Sequence, residues 1–117
     1  MVEKKLTIKE KKKLEKREDK KKLKEWSKTV RDKDGNKCVI CQTDKFIHAH
    51  HLFPKEIKEL RYDLKNGLSL CAKNHKFSRE ISAHNNPLAF YIWFVENRKV
   101  QFNYLKRKWK KIIKNKK

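Results

Sequence analysis

Three histidines, His48, His50 and His51, lie within four consecutive positions. On an extended strand alternate side chains share a face, so His48 and His50 would point one way and His51 the other. Two adjacent histidines with opposite directions could divide the work of phosphodiester hydrolysis: one binds a cation, and the other deprotonates a water molecule near neutral pH. His75, expected on a helix beyond the next strand, could complete the cation site from the opposite side.

A second group of residues has the spacing of a zinc site. Cys38 and Cys41 bracket two residues, which allows a tight turn to direct two thiolates at one ion, and Cys71 follows later in the chain. Zinc would then join the strand hairpin to the following helix. The alternative is a set of buried or unpaired cysteines. Three cysteines with one close pair fit metal binding in a reducing, cytoplasmic compartment better than they fit disulfides.

The fourth position of this zinc site stays open. A cysteine is expected at position 74, but the chain has Asn74, and asparagine is a poor zinc ligand. A water molecule, His75 or His84 could take the fourth position, the position could be unfilled, or the site could have lost its metal.

Four short strings occur in the order Cys38-Val-Ile-Cys41, His50-His51-Leu-Phe-Pro54, Asn66-Gly-Leu-Ser-Leu-Cys71 and Cys71-Ala-Lys-Asn-His75. Together they resemble the HNH endonuclease family, whose pattern is C-x-x-C, then Asp or His followed by His-x-x-Pro, then Asn-x-x-x-Leu-Cys-x-x-Cys-His. The resemblance covers about residues 26–84, and the segment after His75 is more weakly similar to extensions of small phage-type members. It implies an α+β fold with a ββα-metal (His-Me finger) core.

By position in the pattern, the resemblance also implies a role for each motif residue. His51 matches the general base, and Asn66 matches the asparagine that fixes the loop holding that base. His50 and His75 match ligands of a catalytic cation, usually Mg²⁺ but also Mn²⁺, Ni²⁺ or Zn²⁺. The three cysteines match the set that binds a separate structural Zn²⁺.

The chain departs from the family pattern after His75. Arg79 stands where many members have another histidine ligand; it cannot bind a cation but could reach a phosphate oxygen. His84 could compensate, but nine residues along a continuous helix turn the chain by about 900°, which is half a turn out of phase. His84 is therefore expected to face away unless the helix breaks. His48 is expected to be a surface residue of the strand.

Flanking elements must hold these motifs in place. Residues 1–32 are predicted to form a basic helical extension with Thr7 and Glu10 as a capping box. Apolar residues are sparse in this segment, and only Trp26 and Val30 look like anchors to a core.

The nuclease-like core is predicted over residues 33–84, with a loop over 52–66, a short strand over 68–70 and a helix from Cys71. Residues 85–117 are predicted to form a basic helical extension of the same single domain, because Asn86-Pro87 is typical of a helix start. Its later apolar residues recur at helical spacing: Phe102, Leu105, Trp109, Ile112 and Ile113.

Charge indicates the class of partner. The 117 residues include 34 Lys and Arg against 14 Asp and Glu, a formal charge of +20. Such a charge favours DNA, with Arg79, Lys106, Arg107 and Lys110 as expected phosphate contacts. An anionic membrane surface is the competitor, although the longest apolar run, residues 88–95, is too short to span a bilayer and no signal peptide is visible. A merely solubilising surface is the remaining alternative.

The sequence thus predicts a metal-dependent endonuclease that hydrolyses DNA phosphodiester bonds. The protein is expected inside the cell, with a virus or a mobile element as a possible source. One site cuts one strand, so double-strand cleavage would need a homodimer or two successive nicks. The alternative is a non-catalytic, zinc-ribbon-like nucleic-acid-binding module, which would not require the set of His50, His51, Asn66 and His75. A third reading is an interaction protein with a decayed nuclease core.

Overall fold

The computed structural model describes residues 5–116 and has an α+β architecture built around one two-stranded antiparallel sheet. In chain order the elements are α1 (Ile8–Lys33), β1 (Ile47–His51), β2 (Gly67–Cys71), α2 (Pro87–Asn97) and α3 (Lys99–Asn115). Strands β1 and β2 pair with Ile47 opposite Cys71 and His51 opposite Gly67. The predicted α+β class is therefore confirmed. Within residues 5–116, no helix is both long and apolar enough to cross a bilayer.

Helix α1 begins at the predicted N-cap, Thr7, with one of the two backbone bonds of a capping box. The Glu10 amide donates to Thr7 Oγ1, and the Thr7 hydroxyl donates to the Glu10 carboxylate, both at 3.1 Å. The helix predicted over 1–32 starts at Ile8, and residues 1–4 of that range lie outside the described residues. Its buried residues are Trp26 and Val30, 5% and 0% exposed, which confirms them as the anchors of an otherwise solvated helix.

The absence of a side chain at Gly67 lets α1 pack directly on β2. A Cβ atom at this position would lie 2.7 Å from Trp26 Cζ2 and 2.7 Å from Val30 Cγ2. Two hydrogen bonds strengthen the contact: Ser69 Oγ donates to the Val30 carbonyl at 3.3 Å, and the Ser69 amide donates to Asp34 Oδ2 at 2.9 Å. All five residues of β2 are buried, so this strand is the centre of the fold.

Helices α2 and α3 cover the side of the sheet region that α1 leaves free. Asn86 caps α2 by accepting a hydrogen bond from the Ala89 amide at 3.3 Å, and Pro87 is the first helical residue, as predicted. On α3, Trp109 stacks on Phe53 with ring centroids 5.1 Å apart, so this apolar face packs on the core. The main core residues are Leu60, Leu68, Leu70, Phe90, Phe94, Leu105 and Ile112.

The predicted helix after Cys71 is reduced to one helical turn, Lys73–Phe77. Ser78 stops it, since its hydroxyl accepts hydrogen bonds from the Glu80 and Ile81 amides at 3.2 and 3.3 Å. The Ser82 hydroxyl donates to the Ser78 carbonyl at 2.7 Å. Serine side chains that bond to nearby backbone compete with helical hydrogen bonds, which explains why the chain turns back here.

Candidate metal centres and the cleft beside them

The first candidate centre consists of three histidines from three segments. His50 comes from β1, His75 from the helical turn after β2, and His84 from the loop before α2. One ring nitrogen from each lies within 4.8 Å of those of the other two. The Nε2 atoms of His75 and His84 are 3.1 Å apart. Two nitrogen ligands about 2.1 Å from a common ion are separated by about 3.0 to 3.4 Å, so this pair fits adjacent corners of one coordination sphere.

His84 reaches the group because the helix breaks. The His84 amide donates to the His75 carbonyl at 2.9 Å, and the Ala83 amide donates to the Asn74 carbonyl at 2.9 Å. These two backbone bonds bring residues 83–84 back alongside residues 74–75. The expectation that His84 faces away assumed a continuous helix, and the helix ends at Phe77.

The histidine group has the chemistry of a cation site. Burial, with repulsion from the other histidines, lowers the pKa of His50 to about 3, and burial followed by the charge of His84 lowers the pKa of His75 to about 4. Both rings are therefore neutral near pH 7 and keep lone pairs for metal binding. Among the described residues, His75 Nδ1 is buried without a hydrogen-bond partner, and it is the Nε2 atom of this ring that faces His84.

The type of ligand discriminates between cations. Three imidazole nitrogens suit Zn²⁺, Ni²⁺ and related transition metals, whereas Mg²⁺ prefers oxygen ligands and keeps several water molecules. The three histidines therefore do not support the expectation that the bound cation is Mg²⁺. His48 lies outside the three-histidine group; it is exposed, and its ring centroid is 5.4 Å from that of His75.

His51 is held on the α1 side of β1. Its ring stacks on Trp26 with a centroid separation of 3.7 Å and an interplanar angle of 9°. His51 Nε2 lies 3.0 Å from the Arg61 carbonyl oxygen. Because a carbonyl oxygen only accepts, Nε2 carries the proton and Nδ1 keeps its lone pair. Burial lowers the pKa of His51, although the bond to the Arg61 carbonyl opposes this change.

One open cleft of about 510 Å³ joins His51 to the three-histidine group. Its walls come from β1, the start of the following loop and the segment carrying His75 and His84. Lys55 and Glu56 add one basic and one acidic side chain to the rim. A proton acceptor and a candidate cation site therefore face the same space.

Asn66 fixes the loop that follows β1. It is fully buried: its Oδ1 accepts from the Phe53 amide at 2.7 Å, and its Nδ2 donates to the carbonyls of Phe53 and Leu60, each at 3.0 Å. Arg61, which holds His51 through its carbonyl, follows Leu60 directly. The loop is also joined to α1, because the Trp26 indole donates to the Asp63 carbonyl at 2.9 Å and Arg61 pairs with Asp19 at 3.2 Å.

The second candidate centre contains the three cysteines. Their Sγ atoms lie within 4.8 Å of one another, and Cys41 Sγ is 3.6 Å from Cys71 Sγ. Thiolates on a tetrahedral zinc ion with Zn–S near 2.3 Å are about 3.8 Å apart, so the group fits zinc. Burial raises the pKa of Cys38, but hydrogen bonds from nearby backbone amides, those of Cys41 and Cys71 first, outweigh it and lower the pKa overall. Burial raises the pKa of Cys71 to about 11.

The four basic residues expected to contact phosphate, Arg79, Lys106, Arg107 and Lys110, are all exposed. Lys106 also lines a largely apolar groove of about 430 Å³ that has His50 in its wall. The positively charged Lys106 side chain and His50 therefore line the same groove.

Two contacts of the site were not foreseen in the sequence. The sequence identifies Trp26 as a core anchor but does not indicate that its ring stacks on His51. The hydrogen bond from His51 goes to a backbone carbonyl, which the type of residue at position 61 cannot predict. In the sequence, His84 is a histidine whose spacing from His75 does not fit one face of a helix.

No protein-family model, curated protein or solved structure matches this chain.

Proposed function

We propose that this protein is a metal-dependent endonuclease of the HNH type that hydrolyses phosphodiester bonds in DNA. The observation that carries the proposal is the cleft that His51, whose Nδ1 keeps its lone pair, shares with His50, His75 and His84. A protein that only binds nucleic acid has no use for a histidine oriented as a base beside a cation site.

The strands and the turn after them supply the ββα-metal core of this proposal. In it, β1 carries His50 and His51, β2 is the second strand, and the single turn Lys73–Phe77 takes the place of the helix. The turn is short for this role, and the returning segment with His84 compensates by adding a third nitrogen ligand.

In the mechanism, His51 Nδ1 accepts a proton from the attacking water molecule. The bond from Nε2 to the Arg61 carbonyl stabilises the imidazolium that results, and the stack on Trp26 fixes the ring plane. The residues that would hold the cation are His50, His75 and His84, and a bound divalent cation would supply Lewis-acid stabilisation of the phosphate and the leaving oxygen. The expected products carry 5′-phosphate and 3′-hydroxyl ends.

The cysteine group would bind a structural Zn²⁺. Such an ion would tie the turn that contains Cys38 and Cys41 to the end of β2 at Cys71. This connection supports the segment that continues directly into His75, one of the proposed cation ligands.

The test is cleavage of supercoiled plasmid by the purified protein in EDTA, Mg²⁺, Mn²⁺, Ni²⁺ or Zn²⁺. We expect metal-dependent nicking by the wild type and no cleavage by His51→Ala, which should still shift DNA in a gel. His48→Ala is the matched control, since this exposed histidine lies on the same strand but outside the three-histidine group. A thermal melt of each variant shows whether it is folded.

Three outcomes decide the proposal. Cleavage that persists in His51→Ala would refute the assignment of the base. Folded wild-type protein that cuts with none of these cations, yet shifts DNA, would replace the proposal with the non-catalytic binding module. Loss of cleavage in His48→Ala as well as His51→Ala would show that the assay does not single out His51 as the base.

DNA is proposed as the partner because of the charge of +20 and the exposed basic residues on α3. Each phosphate contact releases counterions, so affinity should fall steeply as salt rises. Lys106→Ala and Lys110→Ala should each weaken binding equally for unrelated DNA sequences and reduce the salt slope by about 1. An affinity for DNA that does not change with salt would contradict this interface.

A further inference from the structure

The Asn74 side chain lies beside two of the three cysteines. Its Oδ1 atom is 3.4 Å from Cys38 Sγ and 3.3 Å from Cys71 Sγ. An oxygen and a sulfur bound to one tetrahedral zinc ion, at about 2.1 and 2.3 Å, are separated by about 3.6 Å. The two S···O distances and the 3.6 Å between Cys41 Sγ and Cys71 Sγ therefore approach the edges of one tetrahedron.

The protein fixes the orientation of this amide. Asn74 is 6% exposed, and its Nδ2 atom donates to the Ile81 carbonyl at 2.9 Å. A carbonyl oxygen accepts and does not donate, so nitrogen must occupy that side and Oδ1 must face the sulfur atoms. The Asn74 backbone is held as well. Its backbone N–H donates to Cys71 Sγ at 3.5 Å, and its backbone carbonyl accepts a hydrogen bond from the Ala83 amide. The side chain is thus held by the protein with its only strong acceptor directed at the sulfur atoms of Cys38 and Cys71.

We propose that Asn74 Oδ1 is the fourth ligand of the zinc ion, which makes the centre a Cys₃Asn site. The inference rests on the structural zinc of the proposed function. A neutral amide oxygen is a weaker donor than a thiolate, so the site binds zinc less tightly than a four-cysteine site would, and the zinc remains exchangeable. In the metal-free chain the same oxygen accepts hydrogen bonds from the Cys38 and Cys71 thiols.

The experiment titrates the metal-free full chain with Co²⁺, then displaces Co²⁺ with Zn²⁺. Charge transfer from thiolate to Co²⁺ reports the cysteine site alone, because imidazole ligands give no such absorption. Loss of a supporting residue already costs about 10–100-fold in metal affinity, so loss of a direct ligand in Asn74→Ala should weaken Zn²⁺ binding at least about tenfold. Asn74→Asp, which retains an oxygen donor, should bind as tightly as wild type or tighter.

Asn74→Cys should strengthen binding and increase the charge-transfer absorption in the ratio of four thiolates to three. Asn85→Ala is the matched control, because Asn85 is an exposed asparagine of the same segment whose amide bonds to the Phe77 carbonyl and not to a cysteine. It should leave the affinity unchanged.

The possible failures are distinguishable. Equal Zn²⁺ affinity in wild type, Asn74→Ala and Asn74→Asp overturns the role of Asn74 and leaves the zinc site standing. Absence of thiolate-to-Co²⁺ charge transfer in the wild type overturns the zinc itself, and the inference with it. Neither result depends on nuclease activity, which the plasmid assay tests separately.

Discussion

Replacement of Asn66 by alanine tests how the loop that positions His51 is held. The change removes one accepted and two donated hydrogen bonds at 2.7, 3.0 and 3.0 Å from a side chain that is fully buried. Each bond contributes about 1 kcal/mol, and the backbone groups of Phe53 and Leu60 lose their partner, so unfolding should become easier by about 3 kcal/mol. For a domain of this size the melting temperature should fall by about 10–15 °C.

Hydrogen exchange gives the same test a local readout. The Phe53 amide donates to the Asn66 side chain, whereas the Leu52 amide donates to the Asn66 backbone carbonyl at 3.0 Å, a bond that survives the substitution. In Asn66→Ala, exchange at Phe53 should therefore accelerate more than exchange at Leu52. Asn66→Asp should not restore the protection of Phe53, because it would bury a carboxylate against the Phe53 and Leu60 carbonyl oxygens.

Asn103→Ala provides the global control, since Asn103 is exposed on α3 and alanine favours the helix. Its melting temperature should stay close to that of the wild type. If Asn66→Ala unfolds within about 1 kcal/mol of the wild type and exchanges equally fast at Phe53 and Leu52, the three bonds do not hold the loop. The Trp26–Asp63 hydrogen bond and the Arg61–Asp19 ion pair would then be the restraints that hold the loop to α1.

Three further changes test other parts of the structure. Gly67→Ala should destabilise the fold by about 1–3 kcal/mol in denaturant unfolding, because the new methyl group would meet Trp26 and Val30 at 2.7 Å; an unchanged midpoint would show that α1 does not pack there. Asn86→Ala should cost about 1 kcal/mol through loss of the α2 cap, and equal stability would exclude that cap. His84→Ala should weaken Ni²⁺ binding about tenfold or more in calorimetry on protein whose cysteines are already loaded with zinc, and an unchanged affinity would remove His84 from the site.

Local patterns in the sequence predict the ends of the fold well. The N-cap at Thr7, the anchors Trp26 and Val30, and the start of α2 at Asn86 all depend on residues within a few positions of one another. Strand alternation likewise predicts that His48 and His50 face the same side, and both rings lie within 5.4 Å of His75. These features need no knowledge of the rest of the chain.

The histidine group could not be predicted in full because its last member depends on tertiary structure. Helical phase places His84 away from His75, and only the termination of the helix at Ser78 reverses that result. Serine is compatible with both a helix interior and a helix stop, so its presence did not decide between them. The stack of Trp26 on His51 escaped for the same reason, since both residues have plausible local roles that do not involve each other.

The returning segment also links the two candidate metal centres. Asn74 and His75 are neighbours in the chain, and their carbonyls accept from the successive amides of Ala83 and His84. One short backbone pairing thus positions both the Asn74 side-chain oxygen beside the cysteines and His75 within the three-histidine group. Because Asn74 also bonds to the Ile81 carbonyl, displacement of its side chain would shift the segment that carries His84. If the proposed zinc is bound, the cysteine group would therefore support the histidine group, because both depend on the same backbone pairing.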